Sequence, residues 1–287
     1  MSYQTSRINE ISRDAYYAET LLRLLLLICC NAVFPLFSII IIHHCLATST
    51  QHTDKVLQLI NPTNIVESIA NIAAAYAGKV VLSTSFSWED QAISHIIFNN
   101  RLPVDVFTLD TGRMFAETYT TWSRTVDIYQ QKITAYYPNA SSLQTFIEAK
   151  GPNSFYESID NRKQCCYLRK VEPLQRALQG KEIWITGIRA EHSNGRHDMP
   201  QVEYDAVNNI VKYHPLLHWT TKQVTDFIAV NNVPYNPLHD KGFVSIGCQP
   251  CTRAAKPGED FRAGRWWWED ADKKECGLHV HEPAITK

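Results

Sequence analysis

From residue 50 onward, apolar positions alternate between two patterns, a spacing near 3.6 residues and short unbroken runs. Between about Asn64 and Ala77, Ile65, Ile69, Ile72 and Tyr76 fall near one face, which predicts a helix stopped by Gly78. Val80 to Ser83 predicts a short buried strand, followed by the polar turn STSFSWED and a helix through Ile93, Ile96 and Ile97. The cycle repeats with a strand from Val104 to Leu109 ending in LDTGR, and a helix from about Met114 to Tyr129. A third strand, near Ile133 to Tyr137, stops at Pro138. A shorter helical segment, Leu143 to Lys150, leads to RKQCCYLRKVEPLQRAL, where Leu168, Val171, Leu174 and Leu178 have helical spacing. A strand from Glu182 to Thr186 enters the polar loop GIRAEHSNGRHDMP; a further strand is expected over Lys212 to Leu217, and Thr220 caps a helix to about Val230. This alternation predicts an α/β fold, a parallel twisted sheet flanked by helices, with ligands at the carboxyl ends of the strands. Strand, polar turn and helix together offer backbone N–H groups to an anion.

The two ends depart from that regularity. Leu24 to Ile42 is almost entirely apolar, broken by Asn31 and Pro35, and is long enough to span a bilayer. Three readings stay open for residues 1–50: a non-functional extension or misassigned start, a membrane anchor, and a buried core helix. Beyond Val230 the chain is rich in Pro and Gly with little periodicity, so 51–247 is expected to form the α/β domain and 248–287 an irregular C-terminal arm able to wrap over the site.

Composition narrows the function. Of 287 residues, 45% are hydrophobic and 20% charged, which excludes a disordered chain. A net charge of -1 gives no general electrostatic reason to expect a nucleic-acid partner or a membrane surface, so any anion site must be local. Eight cysteines are too sparse for a disulfide scaffold and point to metal ligation or thiol chemistry in a reducing compartment, the cytoplasm. Cys29, Cys30 and Cys45 fit small buried hydrophobes.

The other cysteines are patterned: Cys165 beside Cys166, Cys248 with Cys251 in SIGCQPCT, and Cys276 in KKECGLH. Structural zinc favours pairs two to four residues apart, which Cys248 and Cys251 satisfy and the adjacent pair does not. Neighbouring helical cysteines diverge by about 100 degrees, too far for one small ion but acceptable to the separate corners of an iron-sulfur cluster. Zinc, a redox dithiol and plain core cysteines remain as alternatives on spacing alone.

The runs STSFSWED, LDTGRMFAETY, CCYLRKVEPLQRAL, ITGIRAEHSNGRHDMPQVEYD, PYNPLHDKGFVSIGCQPCTRA, GEDFRAGRWWWED and KKECGLH together resemble the assimilatory adenylyl-sulfate reductases of the sulfonucleotide reductase family, from about residue 56 to 279. The resemblance implies an adenine-nucleotide alpha-hydrolase-like sheet and a [4Fe-4S] cluster on Cys165, Cys166, Cys248 and Cys251. It also implies that Cys276 is the nucleophile, and that adenylyl sulfate is the substrate rather than its 3'-phosphorylated form, whose reductases typically lack the four cluster cysteines. Thioredoxin or a similar dithiol is the implied reductant.

Glu275 alone would raise the Cys276 pKa, and Lys273, Lys274 and His279 offset it. His279 alternatively contacts substrate phosphate. A dianionic substrate needs cations, for which the resemblance supports Lys170, Arg262 and Arg265 and, behind them, Arg189 and Arg196. Ser83, Thr84, Ser85 and Ser87 offer donors to the phosphate end, and Leu109 and Gly187 backbone contacts to the nucleoside. Ser87 stands where close relatives often place a glycine, a departure that bears on the fine geometry of that turn. Three adjacent indoles, Trp266 to Trp268, cannot share one face, so docking the arm is the expected role rather than base stacking. His239 and Asp240 are expected to shape the turn before SIGCQPCT.

Overall fold

The computed structural model describes residues 51–192 and 198–269. The chain separates into two units between His52 and Thr53, and everything below concerns the second.

Six strands form one sheet in the order β3-β2-β1-β4-β6-β5. They are β1 Val80–Ser83, β2 Asp105–Leu109, β3 Thr134–Tyr136, β4 Ile183–Ile185, β5 Val202–Asp205 and β6 Ile210–Tyr213. β1 pairs in parallel with β2 and with β4, through Leu82 opposite Val106 and Ile185, and β6 continues in parallel from β4. Strand order therefore reverses between β1 and β4, which opens a crevice at their carboxyl ends.

Alternate side chains of these runs enter two different cores, as a sheet covered on both faces requires. Val80, Leu82, Val106, Ile183 and Ile185 join the larger core. There they meet Ile69 and Ile72 of α1 (Ile65–Ala75), Ile93 and Ile97 of α2 (Trp88–Asn99), and Val224 and Ile228 of α7 (Thr221–Val230). Val81, Phe107 and Trp184 point the other way, against Leu174, Ala177 and Leu178 of α6 (Glu172–Leu178). α3 spans Ala116–Tyr129, α4 Ala140–Lys150 and α5 Ile159–Cys166. Thr220 caps α7 in a full capping box with Gln223.

Three local differences from expectation have physical causes. The strand expected over Lys212–Leu217 lies at Ile210–Tyr213, because Pro215 has no N–H to continue a ladder, and the buried Leu216 and Leu217 sit in the turn beyond it. Its partner β5, an antiparallel edge strand, was not expected. The β5–β6 turn is closed by Asp205 Oδ1, which accepts from the N–H groups of Val207 (3.0 Å) and Asn208 (3.1 Å). The double-cysteine stretch is not one α-helix: Tyr167–Val171 forms a π-helical turn between α5 and α6. No helix among the described residues is long and apolar enough to cross a membrane, and the run from Leu24 to Ile42 lies outside them.

Candidate active site

A cleft of about 1390 Å³, its open mouth included, occupies the crevice between β1 and β4. Ser83, Thr84, Ser85 and Ser87 line it from the first strand and its turn, Leu109 from β2, and Gly187 from beyond β4. Lys170, Arg262 and Arg265 line it as well, bringing three cations to the same space. Nine of the predicted contacts thus meet around one space.

The turn after β1 is set by its own hydrogen bonds. Thr84 N–H extends the β1–β2 pairing to Phe107 O (2.8 Å), and Thr84 Oγ1 accepts from Phe86 N–H (3.1 Å). Ser85 donates from both its N–H and its Oγ to Asp90 Oδ2, each at 2.7 Å. Phe86 takes the left-handed conformation, φ 61, and offsets that strain by full burial against Trp122. Ser87 has an ordinary extended φ of -68 and caps α2. No glycine is needed at Ser87, because the unusual backbone falls one residue earlier.

Arg189 requires a correction. It is 1% exposed and does not line the cleft. Its guanidinium is committed to Glu89 (2.8 Å), Glu191 (2.7 Å), Trp219 O and Thr221 Oγ1. It locks the loop after β4 to the start of α2 and offers no free donor fork. A Cβ on Gly187 would run into the Asp90 carboxylate, so this glycine permits close approach of the two loops.

Cys165, Cys166, Cys248 and Cys251 are buried free thiols around a second pocket, closed by Phe155 and by Arg113, Arg162, Arg169 and Lys170. The π-turn carries Arg169 and Lys170, three and four residues after Cys166, and Arg169 Nη1 donates to Thr111 O (2.6 Å). Burial pushes the Cys251 thiol up to about 12, with Cys248 and Cys166 adding to the shift, and burial also raises Cys165. Cys248 goes the other way: burial opposes its ionisation, but Lys170, Thr111 Oγ1 at 3.3 Å, Arg265 and Arg169 outweigh it. Burial holds Cys165 and Cys251 as thiols, a soft metal centre would take the set as thiolates, and the surrounding cations suit the negative charge such a centre would keep. The donor set therefore fits a thiolate-ligated cluster.

The segment after Cys251 packs onto this pocket. Thr252 bridges to Arg265, and Trp266, 1% exposed, lies among the cysteines with Arg162, Arg262 and Arg265 at its ring. Arg162 Nε and Nη2 bind both carboxylate oxygens of Glu269, at 2.8 and 2.9 Å. Trp267 meets Trp268 edge-on at 87°, and none of the three indoles lines the cleft, as the docking role requires. His239 shapes its turn through Phe243 O (2.8 Å) and a stack on Trp88, and Asp240 accepts from the Tyr235 hydroxyl. Cys276, His279 and Arg196 lie outside the described residues. Asp90, Thr111, Arg162 and Arg169 were not singled out from sequence as site residues; the run RKQCCYLRK displays the two arginines, but nothing in it shows where they point.

Fold and site define an α/β nucleotide-binding protein whose cleft abuts a four-thiol pocket. The model of the phosphoadenosine phosphosulfate reductase domain matches residues 79–254, and the chain belongs to that family. The adenosine 5'-phosphosulfate reductase of Rhizobium meliloti (strain 1021) is 45% identical over 215 residues, covering 75% of this chain and 81% of that one. That of Allochromatium vinosum is 46% identical over 203 residues, 71% of this chain and 79% of its own. Among solved structures, the phosphoadenylyl-sulfate reductase of Candida auris in complex with phosphate superposes with a TM-score of 0.58 at 30% identity, over 71% of this chain and 95% of that one.

Proposed function

We propose that this protein reduces adenylyl sulfate to sulfite and AMP in sulfate assimilation, with thioredoxin or a similar dithiol supplying two electrons, in a reducing compartment such as the cytoplasm. In this reading Cys165, Cys166, Cys248 and Cys251 hold a [4Fe-4S] cluster. One observation carries the reading: Lys170 and Cys248 line both the nucleotide cleft and the thiol pocket, so a cluster ligand and a cation form their common wall. The names of the relatives that share most of this chain agree with it.

The AMP moiety lies along Ser83 to Ser87, Leu109 and Gly187, and the phosphosulfate lies against Lys170, Arg262 and Arg265. Arg265 Nε is buried without a hydrogen-bond partner among the described residues, and an anion would supply one. The Cys276 thiolate attacks the sulfur, the sulfur–oxygen bond to AMP breaks, and AMP leaves with that electron pair. A thiolate of the reductant then attacks the Cys276 sulfur and expels sulfite; its second thiol frees Cys276 and leaves the partner disulfide. When bound, the cluster supplies fixed charge and structural support and need not change redox state.

The test is mass spectrometry of protein incubated with adenylyl sulfate and no reductant. The unaltered protein gains a sulfite adduct on Cys276, and Cys276→Ser keeps its iron and gains none. An adduct on that variant sinks the assignment, and a colourless protein carrying stoichiometric zinc sinks the cluster.

A further inference from the structure

One wall of the cleft is backed by a polar chain that runs across the sheet to its edge. Thr186, just beyond β4, lines the cleft and is 2% exposed. Its N–H extends the β4–β6 pairing to Tyr213 O (3.1 Å), which brings the residue after Tyr213, His214, alongside. Thr186 Oγ1 lies 2.7 Å from His214 Nδ1 and accepts from Ile188 N–H at 3.4 Å. His214 is wholly buried, and its Nε2 is 3.5 Å from Glu203 Oε1. Glu203 stands opposite Lys212 across the β5–β6 pair, and Lys212 Nζ lies 3.6 Å from Glu203 Oε1 and 2.7 Å from Asp205 Oδ2. The chain Thr186, His214, Glu203, Lys212 and Asp205 thus joins the nucleotide cleft to the edge strand.

A carboxylate only accepts, so Glu203 draws the imidazole proton to Nε2. Lys212 already gives the two carboxylates a cation, and full burial disfavours a further charge on the ring. Nδ1 is then the acceptor, and the Thr186 hydroxyl directs its one proton to it. Ile188 N–H takes one lone pair of that oxygen, which leaves the other for the cleft. Ser83, on the neighbouring strand, is set the opposite way: its Oγ accepts from Trp184 Nε1 at 2.8 Å, so its own proton remains to be donated. We propose that His214 is a positioning residue: held in one tautomer by Glu203, it makes the Thr186 hydroxyl a fixed acceptor for a hydroxyl or amino donor of the bound nucleotide. The proposal rests on the adenylyl sulfate reading above. It gives the buried Glu203, Lys212 and Asp205 group a part in binding without touching substrate, as a carboxylate orients the imidazole of a hydrolytic triad.

Nitrogen NMR of the full iron-loaded protein, labelled at histidine and with His214 assigned through its bonds to the backbone, reads the tautomer directly. A proton on Nε2 and none on Nδ1 is expected at neutral pH. A protonated Nδ1 overturns the proposal, and that measurement needs no variant to fold. Equilibrium binding of AMP is the second arm. Thr186→Val and His214→Leu each weaken it by about tenfold, and the two together weaken it no further than Thr186→Val alone. His214→Asn, whose amide oxygen can replace Nδ1 as acceptor, stays within about threefold of the unaltered protein. Additive losses overturn the proposal, as does a His214→Leu protein with a lowered denaturation midpoint and unchanged AMP affinity, which would make His214 merely structural. Failure of the unaltered protein to bind AMP would instead overturn the adenylyl sulfate reading itself.

Discussion

The nucleotide cleft and the thiol pocket share a wall but are built by different means. The cleft is framed by strand ends and backbone hydrogen bonds whose geometry follows from sheet pairing, with Thr84 tied to Phe107 and Ser87 capping α2. The pocket is assembled from a π-turn, a 3-10 turn at Gln249–Cys251 and an irregular segment that returns Trp266 to the cysteines. The strand-end wall of the cleft is therefore set by sheet pairing, whereas its Arg262 and Arg265 come from the segment packed on the pocket. The pocket gathers four cysteines, of which Cys165 and Cys251 are held against ionisation by burial while the neighbouring cations favour it at Cys248; any soft metal taken up there would couple its binding to the stability of this region.

The largest effect expected of breaking this division is from Cys248→Ser. Iron content and sulfite production both fall, activity to below about 1% of the unaltered protein, while AMP affinity changes by less than about tenfold. Iron measurement with calorimetric titration of AMP checks this, and loss of AMP binding in proportion to iron would show that the two regions are one. Next is Glu269→Gln, which leaves Arg162 buried without its carboxylate; the fold around the pocket should lose about 3–5 kcal/mol, read as a lowered denaturation midpoint. A shift confined to nucleotide affinity would place that ion pair in the wrong region.

The smallest effect concerns pH. Burial pushes the Asp90 carboxyl up to about 6, with Glu89, itself paired to Arg189, adding to the shift. A raised carboxyl costs the folded state nothing below its ordinary range; the cost builds as pH rises from that range and is complete once pH passes about 6. Asp90→Asn should therefore remove a small loss of stability that the unaltered protein shows as pH rises from about 4 to about 6. Denaturation midpoints of the two proteins at about pH 4 and about pH 7 measure it, and an identical pH dependence would show that Asp90 is not the group responsible.

What could be read from sequence followed the same division. β1 and the cap of α7 were legible to the residue, because a buried run and a capping residue are local signals. That Cys165, Cys166, Cys248 and Cys251 would converge was legible because their spacing and flanking runs are distinctive. β5 escaped because VEYD lacks the apolar run of a central strand and depends on pairing with β6. Arg189 looked like an anion ligand because it sits in a polar loop, and its partner Glu89 is 100 residues away in sequence. Asp90 looked like an ordinary acidic residue in the first turn of a helix, a position where carboxylates are favoured anyway.

The enclosure of Trp266 also gives the molecule an optical address. Of seven tryptophans, this one is almost fully buried and has three guanidinium groups at its ring, two of them from arginines that line the cleft. An anion drawing on Arg262 and Arg265 would alter the electric field at that indole, as would any occupant of the neighbouring thiol pocket. In a variant whose other six tryptophans are phenylalanine, the light emitted by Trp266 would carry news from both compartments at once.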